Sequence, residues 1–158
     1  MYKRQLFPSQ VEALGSLGPK LATVAFWHPT FPYQSSLTGL TSQQLADKYE
    51  KDTGRQWNQM LGDNVSLMDA GIAALKASEN PKKRDTLTKA LSTLKVLTPV
   101  GELDFTKGPF PNVCPMIFAG TQWTNAKPGS KFKLDMIVTN NADDPQVPVG
   151  AQLVSYNG

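Results

Sequence analysis

A chain of 158 residues, 40% hydrophobic and 18% charged, has the composition of a folded domain and not of a disordered polymer; at about this length roughly 68–70% of the unfolded surface is buried on folding, enough for a core. A net charge of +3 raises nucleic acid as a partner, but Lys82-Lys83-Arg84 is the one dense basic run and no aromatic residue is interleaved with it, so nucleic-acid binding is not expected. No apolar run reaches the roughly 18–20 residues that span a bilayer, and the opening Met1-Tyr2-Lys3-Arg4-Gln5-Leu6-Phe7-Pro8 lacks the apolar stretch of a secretory signal.

Residues 8–14 place Val11 and Leu14 three apart and stop at Gly15, which predicts a short helix with a glycine end. Residues 21–27, LATVAFW, form a nearly continuous apolar run of strand length, as expected for a strand buried on both faces of a parallel α/β sheet. Residues 28–40 contain Pro29, Pro32 and Gly39 and are expected to be a loop. With Trp27 at its entrance and His28, Phe31 and Tyr33 inside it, this loop is a first candidate for a solute site, in which Trp27, His28 and Tyr33 line a cleft. Nothing in their spacing demands a ligand, so a covering loop that packs its aromatic residues inward is the simpler expectation.

Thr41-Ser42-Gln43-Gln44 has the form of a capping box, which predicts a helix carrying Leu45 and Tyr49 on one face and ending at Gly54. Residues 55–61 fit either a helix or an extended piece. From Asp63 onward Val65, Met68, Ile72 and Leu75 recur at helical spacing among several alanines, which predicts a buried helix with Asp63 as its cap. Its start is a second candidate site: unpaired donors near Asp63 and Asn64 suit a ligand carboxylate, although a helix capped by its own carboxylate is less inviting to an anion. Asn80-Pro81 is expected to open a further helix with the stripe Leu87, Ala90, Leu91 and Leu94.

In residues 100–105, Leu103 and Phe105 alternate with Glu102 and Asp104, a strand pattern with its carboxylates toward solvent. Lys107-Gly108-Pro109-Phe110-Pro111-Asn112 breaks it. Apolar runs at 116–123 and 132–138, joined by Asn125-Ala126-Lys127-Pro128-Gly129, complete what is expected to be a β-ribbon. Cys114 is expected to be a small buried strand residue, and with one cysteine no internal disulfide forms. Residues 152–156 offer a last strand. Enzymatic activity is not expected. The sole histidine would have to serve any triad, zinc would need more than one His and one Cys, and no phosphate-binding glycine motif is present. No cofactor or metal is implied.

The order Gly101-Glu102-Leu103-Asp104-Phe105, glycine-bearing turn, Asn112-Val113 and an apolar strand ending in Gln122-Trp123 resembles the C-terminal part of periplasmic solute-binding proteins of the branched-chain amino acid type, the type I family of receptors that feed ABC transporters. Leu6-Phe7-Pro8-Ser9-Gln10-Val11-Glu12-Ala13-Leu14, and the segment from Trp27-His28-Pro29 to Leu40, resemble the same family in the same order.

The resemblance implies an α/β fold of two lobes, each with helices on both sides of a mostly parallel sheet, and a C-terminal β-ribbon. Residues 1–27 would belong to the second lobe, 28–112 to the first, and 113–158 would return to the second, the whole being the final portion of a longer receptor. It further implies a periplasmic or cell-surface protein that closes on an amino acid or similar small polar solute and is recognised by a membrane permease. The family's main ligand-holding residues would lie largely upstream of the part represented here. A ligand-sensing domain of the same fold and a stand-alone interaction module are the alternatives. Strands and apolar faces left without neighbours predict a homo-oligomer, with an intertwined arrangement among the forms it could take.

Overall fold

In the computed structural model of the protein, residues 7–156 are described. A three-stranded sheet is built from β1 (Ala22–Ala25), β4 (Ala119–Asn125) and β5 (Leu134–Asn140) in the order β1-β4-β5, and β2 (Lys95–Thr98) pairs with β3 (Gly101–Asp104) as a separate hairpin. Among the described residues four helices accompany them: α1 (Pro8–Glu12), α2 (Ser42–Thr53), α3 (Met60–Ala77) and α4 (Arg84–Ser92). A 3-10 turn, Gly15–Leu17, follows α1.

Every strand pairing among the described residues is antiparallel, which corrects the expected mostly parallel sheet. β1 is not buried on both faces either, since Val24 is exposed. It lies at the sheet margin, and the buried side chain of Gln59 stands where a further strand would pair. The Gln59 carboxamide accepts from the Phe26 N–H (3.2 Å) and donates to the Val24 carbonyl (3.4 Å), so two edge groups that would otherwise be buried without partners are satisfied.

The α2 prediction is realised in detail. The Thr41 hydroxyl accepts from Gln44 N (3.2 Å), Gln44 Oε1 accepts from Thr41 N (3.0 Å), and Gly54 ends the helix at φ 70°. Three other expectations need correction. Asp63 is not the cap of α3, which begins three residues earlier because Asn58 Oδ1 accepts from Met60 N (3.1 Å) and closes the first turn there. Asn80-Pro81 does not open α4; the Asn80 side chain accepts from Lys82 N (3.1 Å) in a local turn, and the helix starts at Arg84. Residues 152–156 form no strand, because the Gln122 side chain donates to the Val154 carbonyl (2.8 Å) and accepts from its N–H (3.0 Å) in place of a ladder.

α3 turns a different face inward from the one its apolar period suggests. Gly62, Ser66, Asp69, Ala70 and Ala74 are buried, while Met68 and Leu75 are 58% and 46% exposed. Small residues win the inner face because Trp27 lies against the helix at Gly62, where a Cβ would overlap the indole ring. The β2–β3 hairpin docks beside this contact: Ser66 Oγ donates to the Gly62 carbonyl (2.8 Å) and accepts from Val100 N (3.3 Å). β2 has no counterpart in the elements expected from sequence, and β3 pairs with it in a separate two-stranded sheet and not with the β4–β5 ribbon.

Asp104 does not face solvent. It is 4% exposed and meets Lys95 Nζ at 3.0 Å and Lys107 Nζ at 3.4 Å. The Thr106 hydroxyl, together with these lysines, holds its carboxyl far below the usual carboxylate range. Cys114 is half-buried and lies outside the strands, because the chain between Pro111 and Pro115 cannot join a ladder.

The main apolar cluster joins Val11, Trp27, Leu45, Trp57, Val96, Leu103, Trp123 and Met136. A smaller one, Phe31, Ala119, Val138 and Val147, lies beneath Tyr33 and Ile117. Trp27 is fully buried in the first, edge-on to Trp57 at 5.6 Å, with its indole N–H donating to Ser42 Oγ at 3.1 Å. Replacing Gly62 with Ala forces a methyl into this ring, so G62A is expected to lose about 3 kcal/mol of stability in urea denaturation, even though alanine is the better helix former. The same change at Gly71, which faces open space, is expected to be neutral or stabilising.

Candidate functional site

Two concavities lie near the residues singled out from sequence. The first, about 670 Å³, is an apolar cleft between α2 and α3, walled by Tyr49, Leu61, Val65, Met68 and Leu37, with Asn58 and Asn64 as polar members. The second, about 450 Å³, is a shelf of mixed polarity where the 28–30 segment passes over β5. His28, Thr30, Gln43 and Trp57 line it together with Lys127, Asp135, Ile137 and Pro148.

His28 is placed on the shelf by the burial of its chain neighbour. With Trp27 fixed in the core, the imidazole stands edge-on to Trp57 at 5.0 Å and its Nε2 lies 2.8 Å from the Met136 carbonyl of β5. A carbonyl only accepts, so Nε2 carries the proton; Nδ1 accepts from Thr30 N at 3.2 Å and has the Thr30 hydroxyl at 2.8 Å. Burial lowers the His28 pKa from 6.5, against the opposing effects of the Met136 carbonyl and of nearby Asp135. The ring is neutral, fully bonded and set for contact.

The five candidate residues do not converge. His28 lines the shelf and Asn64 the apolar cleft. Trp27 has no exposed surface and its N–H is committed to Ser42. Tyr33 packs on the smaller apolar cluster, and its hydroxyl donates to Asp144; burial and that carboxylate push its pKa up to about 12. Asp63 is half-buried in the first turn of α3, with its pKa raised by burial. Lys127 and Asp135 escaped the sequence reading. Lys127 sits in a turn where a lysine is unremarkable, and Asp135 alternates with apolar neighbours on a strand, a pattern that marks an outer face.

The buried carboxylate of Asp69 fixes the loop next to this region. Its Oδ1 accepts from Ser35 Oγ (2.8 Å) and Leu37 N (2.9 Å), so residues 35–37 are held against α3. Glu50 works similarly at the end of α2: it accepts from Trp57 N at 3.2 Å, and burial raises its pKa despite that bond.

No protein-family profile matches the chain, and no curated protein matches it in sequence. Among solved structures, the fold is similar to that of a protein from Rhodopseudomonas palustris described as an ABC-type branched-chain amino acid transporter, with a TM-score of 0.61 and 11% identity. The likeness covers 92% of this chain and 37% of that one. At this identity it is a likeness of fold. The chain is thus a mixed α/β protein whose described residues take a fold found in part of a larger transport-associated protein. Among the described residues no helix is long and apolar enough to cross a membrane.

The depressed His28 pKa fixes the sign of a pH effect. The unfolded chain binds this proton more readily, so the stability from neutral His28 is fully present above pH 6.5 and is lost as pH falls below it. Because His28 is the one histidine, the urea midpoint is expected to drop between pH 7 and pH 5 in the parent chain, and this slope is expected to be much reduced in H28Q.

Proposed function

We propose that this chain is part of the solute-binding component of an ABC transporter, which holds an amino acid or similar small polar solute by closing two lobes upon it. The observation that carries the reading is the fold likeness, which extends over 92% of the chain to a protein described as a branched-chain amino acid transporter. In this reading residues 28–112 belong to one lobe and residues 1–27 and 113–158 to the other. The shelf draws on both groups, with His28, Gln43 and Trp57 from the first and Lys127, Asp135 and Pro148 from the second, and the two groups meet in one apolar cluster beneath it.

The chemistry of the shelf fits such a solute. Lys127 and Asp135 present opposite charges suited to the carboxylate and ammonium of a zwitterion, while Trp57, Ile137 and Pro148 offer apolar surface to its side chain. Micromolar affinity requires about 8 kcal/mol of net favourable free energy. Contacts shared between lobes favour the closed form, and that form is the one a membrane permease would recognise. The protein works by binding and not by catalysis, in the periplasm or at the cell surface, with no cofactor.

Trp57 lines the shelf and reports on its occupancy. Titrating the chain with each of the common amino acids is expected to give a saturable change in tryptophan fluorescence with at least one of them, weakened tenfold or more in D135N and in K127A. Absence of any saturable change up to about 10 mM, where even a binding free energy near 3 kcal/mol would register, would contradict the assignment of the shelf as the solute site.

A further inference from the structure

His28 is the group on the shelf whose charge changes in mild acid, and its hydrogen bonds let it take a proton without moving. Nε2 donates to the Met136 carbonyl (2.8 Å), a bond that is the same for the neutral and the charged ring. The second proton enters at Nδ1, which accepts from Thr30 N (3.2 Å) and has the Thr30 hydroxyl at 2.8 Å. A hydroxyl both donates and accepts, so it turns to receive the new N–H, and only the bond from Thr30 N is given up. We propose that His28 makes solute binding at the shelf proton-sensitive, because the charged ring and the ammonium group of an amino acid compete for the carboxylate of Asp135. The proposal rests on the reading of the shelf as the solute site.

Two observations join His28 and Asp135. Both side chains are bonded to the backbone of Met136: Asp135 Oδ1 accepts from its N–H (2.9 Å), while His28 holds its carbonyl. The N–H and C=O of one residue in an antiparallel strand point to the same edge, so the two side chains meet the same short stretch of the outward edge of β5. The second observation is electrostatic. Lys127 lines the shelf, Asp47 accepts from the Gln43 amide (2.8 Å) and Glu50 from the N–H of Trp57 (3.2 Å), but the charge that favours proton uptake by the imidazole is that of Asp135. An ammonium bound to Asp135 opposes that help. By linkage, the solute then keeps the ring neutral to the same extent that the proton loosens the solute. Binding is tighter near neutral pH and weaker in acid.

Because His28 is the one histidine, its ring protons in NMR report this site alone. In a pH titration without solute, the His28 pKa is expected to be lower in D135N than in the parent chain by about 0.5 or more, and to move less in K127A. Asparagine keeps an acceptor for the Met136 N–H, so D135N removes the charge and leaves the edge intact. The parent chain is then titrated with each of the common amino acids that saturates the Trp57 signal. Each is expected to lower the His28 pKa by about 0.5, which is about threefold weaker binding to the protonated chain. The matching acid without an amino group, such as 4-methylpentanoate for leucine, is expected not to lower it. An unchanged pKa in D135N overturns the proposal. So does an amino acid that binds and leaves the His28 pKa where it was, an outcome in which the solute-binding reading still stands. If no amino acid saturates the signal, the shelf is not a solute site and the proposal falls with that reading, whatever D135N shows.

Discussion

Trp27 has no room to be anywhere else. Its ring lies flush against the backbone of α3 at Gly62 and edge-on to Trp57, and its N–H is held by Ser42 at the start of α2. A buried indole of this size contributes several kcal/mol through its apolar area, and its one polar atom must find a partner or lose that much again. Ser42 meets the need and passes the constraint on, donating in turn to the Tyr33 carbonyl at 3.2 Å. One side chain thus ties the end of β1, the first turns of α2 and α3, and the loop between β1 and α2 into a single arrangement.

The position of the shelf follows from that anchor. His28 is next in the chain and is delivered to β5, where the Met136 carbonyl fixes its proton on Nε2. From there the loop crosses to Ser35 and Leu37, which the buried Asp69 holds against α3. Tyr33, between these two points, is tied to Asp144 beyond β5. The loop is therefore fixed at three places along its length, and the surface it shares with β5 is built on rigid elements. That suits a contact surface, where ordering a flexible loop on binding would cost affinity.

The legible parts of the sequence were those whose signals are local. The Thr41 capping box, the Gly54 end of α2, the breaker at residues 107–112 and the paired runs of β4 and β5 are all recognised from neighbours a few positions apart, and all are present. The largest failures trace to side-chain contacts that the local pattern of residues does not reveal. α3 is apolar on two faces, and only the proximity of Trp27, more than thirty positions away, decides that the small-residue face goes inward. The apolar run at β1 resembles a central strand because nothing nearby reveals that Gln59 will stand at its edge. Asp104 alternates like a solvent-facing carboxylate, yet lysines at positions 95 and 107 bring it under cover. The candidate site was half legible for the same reason. His28 is conspicuous as the sole histidine, whereas Lys127 and Asp135 matter only because the fold brings them to the same shelf.

The measurement that bears most directly on this account is hydrogen exchange at the Trp27 indole N–H, followed by NMR. If the indole is the joint on which strand, loop and two helices depend, its proton exchanges only when the whole molecule unfolds, with a protection free energy equal to the global stability from denaturation. Exchange at the rate of an exposed indole, while backbone amides of β4 and β5 remain protected, would contradict it, since sheet and helices would then hold together without Trp27 in place.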